Sequence, residues 1–254
     1  MAPTMIIDAH AHCGRQDRFP PQDLRDYVAC LRGGGIGGAV MMSPVMEIYD
    51  RYDPDFQDTP QWRARRAESN EYLLGIGSPD FTVYPFFFIW NDFAVEGIAP
   101  GHKGIKWHRH PDEPVYEYRN PKCAAAIDAI RGRNMPVLLE EEFSNTLFFI
   151  NELAPGLKVI IPHLGFLNGG YELFRRRDIF AMPNIYADTA LAPVSEIKDY
   201  IKRYGHERIM YGSDFPFGDP ESELRKVLGL GLTEEQREAI VGGNVAKLLA
   251  ESNV

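Results

Sequence analysis

Short apolar runs alternate with longer helical patterns along this entire chain, and that alternation constrains its fold more than any other feature. Such a rhythm marks repeated strand–helix units around a parallel sheet. Eight strand candidates can be counted: Met5–His10, Gly37–Met42, Val83–Trp90, Gly104–His108, Pro136–Glu140, Lys158–His163, Asn184–Asp188 and Arg208–Ser213. Between them lie helical stretches at Gln22–Leu31, Gln61–Leu74, Pro121–Arg131, Thr146–Leu153, Tyr171–Arg177 and Ser195–Tyr204. Two more, Glu221–Leu228 and Glu234–Leu249, follow the last strand. Asn120 before Pro121 reads as an N-cap, Thr233 with Gln236 as a capping box, and Gly205 as a helix stop. The expectation is an α/β fold of the (β/α)8 or TIM-barrel type, as a single domain over residues 1–254. A chain of 254 residues is the usual size for one such barrel. One segment breaks the rhythm. The long loop at 43–60 after the second strand (SPVMEIYDRYDPDFQDTP) is acidic and rich in Tyr and Pro, and reads either as a lid or as a surface excursion.

In barrels of this kind chemistry collects at the C-terminal ends of the strands. Polar residues stand at five of those ends: His10 and His12 on the first, Lys106 and His108 on the fourth, Glu140 on the fifth, His163 on the sixth and Asp214 on the eighth. Side chains two apart in a strand share a face, so His10 and His12 converge on one spot, as a divalent metal ion requires. Two imidazoles with one or two carboxylates hold such an ion and leave a position open for water. In a zinc site that water has its pKa lowered toward roughly 7. Asp214 is the natural ligand to double as a base. The spacing recurs at His108 and His110, but only His108 belongs to a strand end. Arg109 and His110 read as solvated loop charges, and residues 175–177 as a solvated helix face. Asp188 and Thr189 divide evenly between substrate contact and ordinary packing.

The formal net charge of −9 leaves no basic surplus for nucleic-acid phosphates. Cys13, Cys30 and Cys123 form neither a disulfide-like nor a metal-like pattern, which suits a reducing compartment, and Cys13 reads as a buried neutral thiol. No charged-then-apolar leader precedes Met5, and no apolar run reaches membrane-spanning length. A cytoplasmic protein acting on a small molecule, without nucleic-acid or membrane partners, is the expectation.

The motifs IIDAHAH, KGIKWH, PVLLE, VIIPHLG, NIYADT and IMYGSDFP, in this order, resemble the amidohydrolase superfamily. More narrowly they resemble its amidohydrolase-related branch, which includes aminocarboxymuconate-semialdehyde decarboxylase and other aromatic-acid decarboxylases. The ending from Gly243 to Leu249 is similar to that branch's closing helix. The likeness runs along essentially the whole chain. It implies a distorted barrel holding one or two divalent ions, usually Zn2+, and often a homodimer. By resemblance, His10, His12 and Asp214 match metal ligands, and His163 matches a residue that is an acid/base in some relatives and a ligand in others. Lys106 would be a free cation holding a substrate carboxylate or phosphate, with His108 beside it. The chain departs from the pattern at Glu140, where relatives commonly carry histidine. Glutamate can ligate zinc, so His10, His12, Glu140 and Asp214 form a sound metal set. The rival for Glu140 is a buried ion pair with Lys106, and Glu142 could take its place.

These readings combine into a metal-dependent hydrolase that attacks an ester, lactone or amide bond of a small acidic substrate through a metal-activated water. Asp214 and His163 would be its catalytic residues, and Lys106 and His108 would bind substrate. Two alternatives stand beside it: a non-oxidative decarboxylase of a small carboxylic acid, and a degenerate barrel that binds a ligand or partner without turnover.

Overall fold

The structure, a computed structural model, describes residues 5–15 and 22–252. Eight parallel strands form one sheet in sequence order: β1 (Ile6–His12), β2 (Ile36–Met42), β3 (Thr82–Phe88), β4 (Gly104–His108), β5 (Val137–Glu140), β6 (Val159–Ile161), β7 (Ile185–Asp188) and β8 (Ile209–Met210). The chain just beyond β8 closes the sheet on itself. Ala9 donates its amide to the Tyr211 carbonyl, Asp214 to that of His10, and His12 to that of Phe215. This is the nearly closed (β/α)8 barrel expected from the alternating pattern.

Helices lie between the strands: α1 (Leu24–Ala29), α2 (Pro60–Tyr72), α3 (Pro121–Gly132), α4 (Phe143–Phe148), α5 (Tyr171–Arg176) and α6 (Val194–Tyr204). After β8 come α7 (Pro220–Leu228), α8 (Glu234–Glu238) and α9 (Asn244–Ala250). Asn120 and Thr233 cap α3 and α8 as their side chains suggested, and Gly205 ends α6 with φ at 83°. The helix expected at Glu234–Leu249 runs on from α8 into α9 through one wider, π-type turn at Ala239–Gly243. Gly242 within that turn lies against the start of β1, where a Cβ would sit 2.0 Å from the Met5 carbonyl oxygen.

Two apolar layers hold the barrel. Ile7, Ala9, Val40, Met42, Phe86, Leu138, Ile160 and Met210 fill the inside, with Val245, Leu248 and Leu249 of α9 packed on the same cluster. The larger cluster lies between sheet and helices and includes Trp107, Phe149, Phe174, Phe180 and Tyr200. Cys13 belongs to it, fully buried.

The segment after β2 is neither a free lid nor a surface excursion along its first half. Residues 43–49 are buried, with a short 3-10 turn at Val45–Glu47, and Tyr49 stacks on Trp90 with ring centroids 4.0 Å apart. Arg66 ties the second half down by binding the carboxylates of Asp58 and Asp92 and the Ile48 carbonyl. Among the described residues, no helix is long and apolar enough to cross a membrane.

Candidate metal centre

The first strand carries a register shift between Asp8 and Ala11, and His10 and His12 lie in and just after it. Asp8 fixes this stretch from below. Its Oδ1 accepts from the amides of His10 (3.0 Å) and Ser213 (2.9 Å), and its Oδ2 from the Tyr27 hydroxyl (2.8 Å) and the Ser213 hydroxyl. Burial pushes the Asp8 pKa up to about 6 against those four donors. The network fastens β1 to the chain that carries Asp214. His10 Nε2 and His12 Nε2 consequently stand 3.4 and 3.3 Å from Asp214 Oδ1.

His163 arrives by a different route. Strand β6 ends at Ile161, earlier than the apolar run suggests, and His163, Leu164 and Gly165 then take left-handed φ values of 56°, 51° and 88°. Asp214 is left-handed as well, at 57°. Two of the candidate site residues thus hold a conformation that side-chain-bearing residues seldom adopt, and such strain gathers at functional sites. The turn places His163 Nε2 3.9 Å from Asp214 Oδ2, with its ring 5.0 Å from that of His10.

All three imidazoles are tied back through Nδ1. His10 Nδ1 meets Asp188 Oδ2 at 3.0 Å, His12 Nδ1 the Ser43 carbonyl at 3.3 Å, and His163 Nδ1 the Ala190 carbonyl at 3.0 Å. Each of these partners can only accept, so each Nδ1 carries a proton, and in the neutral ring each Nε2 turns a lone pair inward. His10 Nε2 and His163 Nε2 are buried without a hydrogen-bond partner. Lone pairs aimed at a carboxylate repel it unless a cation stands between, so the donor set fits a divalent ion.

The charges agree. Burial works against ionising Asp214, but His10, His12 and His163 hold its carboxyl down at about 2. Burial and Lys106 oppose protonation of His10, yet Asp188 and Asp214 outweigh them and raise its pKa. His12 is lowered, chiefly by burial. Asp188 was divided between substrate contact and packing, and its place is neither of these alone. It also accepts the amides of His163 (2.9 Å) and Ala190 (3.0 Å), so one carboxylate orients parts of β1, β6 and β7 together.

A second cluster lies beside the first. Glu140 Oε2 accepts from Lys106 Nζ at 2.9 Å, and Oε1 lies 2.7 Å from His110 Nε2, 3.5 Å from His108 Nε2 and 4.0 Å from His163 Nε2. The ion pair that competed with metal ligation for Glu140 is therefore present. Lys106 is fully buried and is not among the residues lining the cavity. Burial opposes ionisation of Glu140, but Lys106, His108 and His110 hold its pKa well below the usual range. Burial lowers His108 to about 4 despite Glu140.

The loop after β4 does not carry the solvated charges expected of it. Arg109 is not solvated: it is 3% exposed and binds the carboxylates of Glu141 (2.9 Å) and Glu142, which takes Glu142 away from the centre. His110 is drawn in to Glu140, because the Arg109 amide still pairs with the Glu140 carbonyl and the polar spacing of β4 runs on past its end. Arg175 and Arg176 pair with Glu172 on the surface of α5, as a solvated face would.

Both clusters open on one cavity of about 550 Å³, lined by His12, His108, His110, Glu140 and Asp214 together with Arg51, Tyr52, Glu113 and Phe217. Its acids are Asp112, Glu113, Glu140 and Asp214, against the guanidinium of Arg51. Sequence reasoning gave no role to Arg51, Tyr49 or Glu113; they come from loops whose contacts no periodicity reports.

Residues 149–250 match the family model described as Amidohydrolase, a stretch that includes His163, Asp188 and Asp214. Over that stretch the resemblance carried by VIIPHLG, NIYADT and IMYGSDFP is borne out. No curated protein sequence matches the chain. Solved structures of similar fold include a Pseudomonas putida protein assigned as a 2-pyrone-4,6-dicarboxylic acid hydrolase, with TM-score 0.69, 19% identity and 98% of each chain covered. The 2,6-dihydroxybenzoate decarboxylase of Rhizobium matches with TM-score 0.72 and 14% identity, over 98% of this chain and 99% of that one. A dihydroxybenzoic acid decarboxylase of Polaromonas, bound to manganese and the inhibitor 2-nitroresorcinol, matches with TM-score 0.70 and 14% identity, over 98% of this chain and 97% of that one. At such identities the likeness is one of fold.

Proposed function

We propose that this chain, which bears the amidohydrolase pattern over residues 149–250, is a metal-dependent hydrolase of a small ester, lactone or amide. The observation that carries the reading is the convergence of three tied-back imidazoles on the ionised Asp214 at the floor of the cavity. His10, His12 and Asp214 would hold a divalent ion, zinc being the borderline-soft choice for two nitrogens and an oxygen. When bound, such an ion supplies Lewis acidity and lowers the pKa of a coordinated water.

The chain's own groups do the rest. Asp214, ionised at neutral pH, accepts the proton of the attacking water through Oδ2. His163 faces that oxygen with a free Nε2 lone pair, takes the proton on and delivers it to the leaving oxygen or nitrogen as its bond to the carbonyl carbon breaks. Asp188 holds the His10 ring and the His163 backbone in register throughout. The acidic substituent expected on the substrate rested on Lys106, and that lysine is held by Glu140 instead. The bond class is therefore kept and the acidic substituent is not.

The test is metal analysis of protein purified without chelators, joined to a panel of small esters, lactones and amides. We expect stoichiometric zinc or manganese, and a loss of at least ~100-fold in kcat for Asp214→Asn, the scale of removing one positioned acid/base group. Release of CO2 without uptake of water would replace this reading with decarboxylation. Negligible metal together with an active Asp214→Asn would end it.

A further inference from the structure

The second cluster, His108, His110 and Glu140, has the composition of a metal site and stands on the same cavity. Its hydrogen bonds decide whether it can act as one. Arg51 Nη2 lies 2.9 Å from His110 Nδ1. A guanidinium can only donate, so Nδ1 is an acceptor and the ring's proton sits on Nε2, which donates to Glu140 Oε1 at 2.7 Å. Glu113 Oε1 lies 3.4 Å from the same Nδ1, but it forms the closer ion pair with Arg51. The other Glu140 oxygen is taken by Lys106. Across the cluster, the Tyr49 hydroxyl has its shortest contact to Glu113 Oε2 at 2.6 Å, against 3.0 Å to the His108 carbonyl; with its proton on the carboxylate it accepts from His108 Nδ1 at 3.2 Å.

We infer that Arg51 is a positioning residue: by fixing His110 as a donor it locks Glu140 between two protonated neighbours and closes the second cluster to a metal ion. The centre then takes one ion, at His10, His12 and Asp214, and Glu140 is a charged wall of the cavity, not a ligand. Removing the guanidinium reverses the logic. Glu113 would accept the proton of His110 Nδ1, and His110 Nε2, His108 Nε2 and Glu140 Oε1 would present three lone pairs to a second ion.

This inference rests on the proposed metal-dependent reading, and its test separates the two. Cobalt(II) titration of metal-stripped protein, followed by visible absorption, counts the ions. Wild type and Arg51→Lys should take one equivalent, Arg51→Leu two, and the double variant Arg51→Leu/His110→Asn one again. A second equivalent on wild type overturns the inference, as does a folded Arg51→Leu protein that takes only one. Long-range 1H–15N spectra of wild-type protein test the same point without metal. They should show His110 protonated at Nε2 and bare at Nδ1, and the opposite tautomer overturns the inference. Failure to bind the first equivalent counts against the hydrolase reading, while the His110 tautomer still decides this one.

Discussion

Asp188 accepts one ring proton and two backbone amides, so a single substitution there separates orientation from ligation. In Asp188→Asn an amide oxygen can still accept backbone donors, but an amide NH2 facing His10 Nδ1 drives the ring proton to Nε2 and removes that lone pair from the centre. Partners that orient a ligating histidine typically contribute ~10–100-fold in metal affinity. We expect zinc affinity, measured by competition with a chromophoric chelator, to fall by that factor while the fold persists; unchanged affinity would remove Asp188 from the centre. His108 gives the pH counterpart. Its pKa in the folded protein is about 4, below the ordinary 6.5, so as pH falls the unfolded chain takes up the proton first. Its contribution is complete above pH 6.5 and is lost progressively down to pH 4, with an upper bound of about 3 kcal/mol. His12, also lowered, adds the same sign, and the raised His10 opposes it. Urea unfolding of metal-free protein at pH 6.5 and 4.5 should show a smaller loss for His108→Gln than for wild type. An equal loss would show that His108 does not drive the slope.

Strand ends are where the chain was easiest and hardest to read. The element β4 matches its apolar run to the residue, and the placement of His12, His108 and Glu140 at the sheet's mouth follows from strand ends and period-two alternation, whereas Asp214 reaches it from a left-handed turn beyond β8. What periodicity cannot report is a chain that leaves the strand early. Apolar composition continues through Ile161 to His163 and from Met210 to Tyr211, yet β6 stops at Ile161 and β8 at Met210, because left-handed turns and the pairing with β1 take over. Tautomers are set by contacts tens of residues away, so the hydrogen-bonding roles of Asp188 and Arg51 were out of reach and His110 was read as solvated. The turn after β6 is the element on which the His163 geometry depends. Gly165 sits there at φ 88°, and a Cβ would meet the Phe174 ring at 2.7 and 2.8 Å. Gly165→Ala therefore adds a strained backbone to an overpacked contact, at a cost of about 1–3 kcal/mol. Denaturant midpoints should drop accordingly and kcat should fall with them, since His163 is two residues away. A variant as stable as wild type would show that the turn is softer than its contacts imply.

The proposed ligands come from opposite ends of the chain: His10 and His12 from the first strand, and Asp214 from beyond the last. They meet only because the chain after β8 closes onto β1, so an ion bound there is bound by the folded barrel and by little else. Binding of that kind stabilises by mass action, about 2.7 kcal/mol at a free metal concentration 100 times Kd. For a domain of this size each kcal/mol moves Tm by roughly 2–4 °C, which makes the expected rise about 5–10 °C. Calorimetry of metal-free protein with and without zinc measures it directly. The rise should vanish in Asp214→Asn, which removes a ligand and the charge that His10 and His12 face. In Glu140→Gln the baseline Tm should fall, because Lys106 is left buried beside a neutral amide. The zinc-induced rise, however, should survive there, because Glu140 holds Lys106 and His110 and not the ion. A rise that disappears with Glu140 and persists without Asp214 would move the ion to the other side of the cavity and exchange the roles of the two clusters.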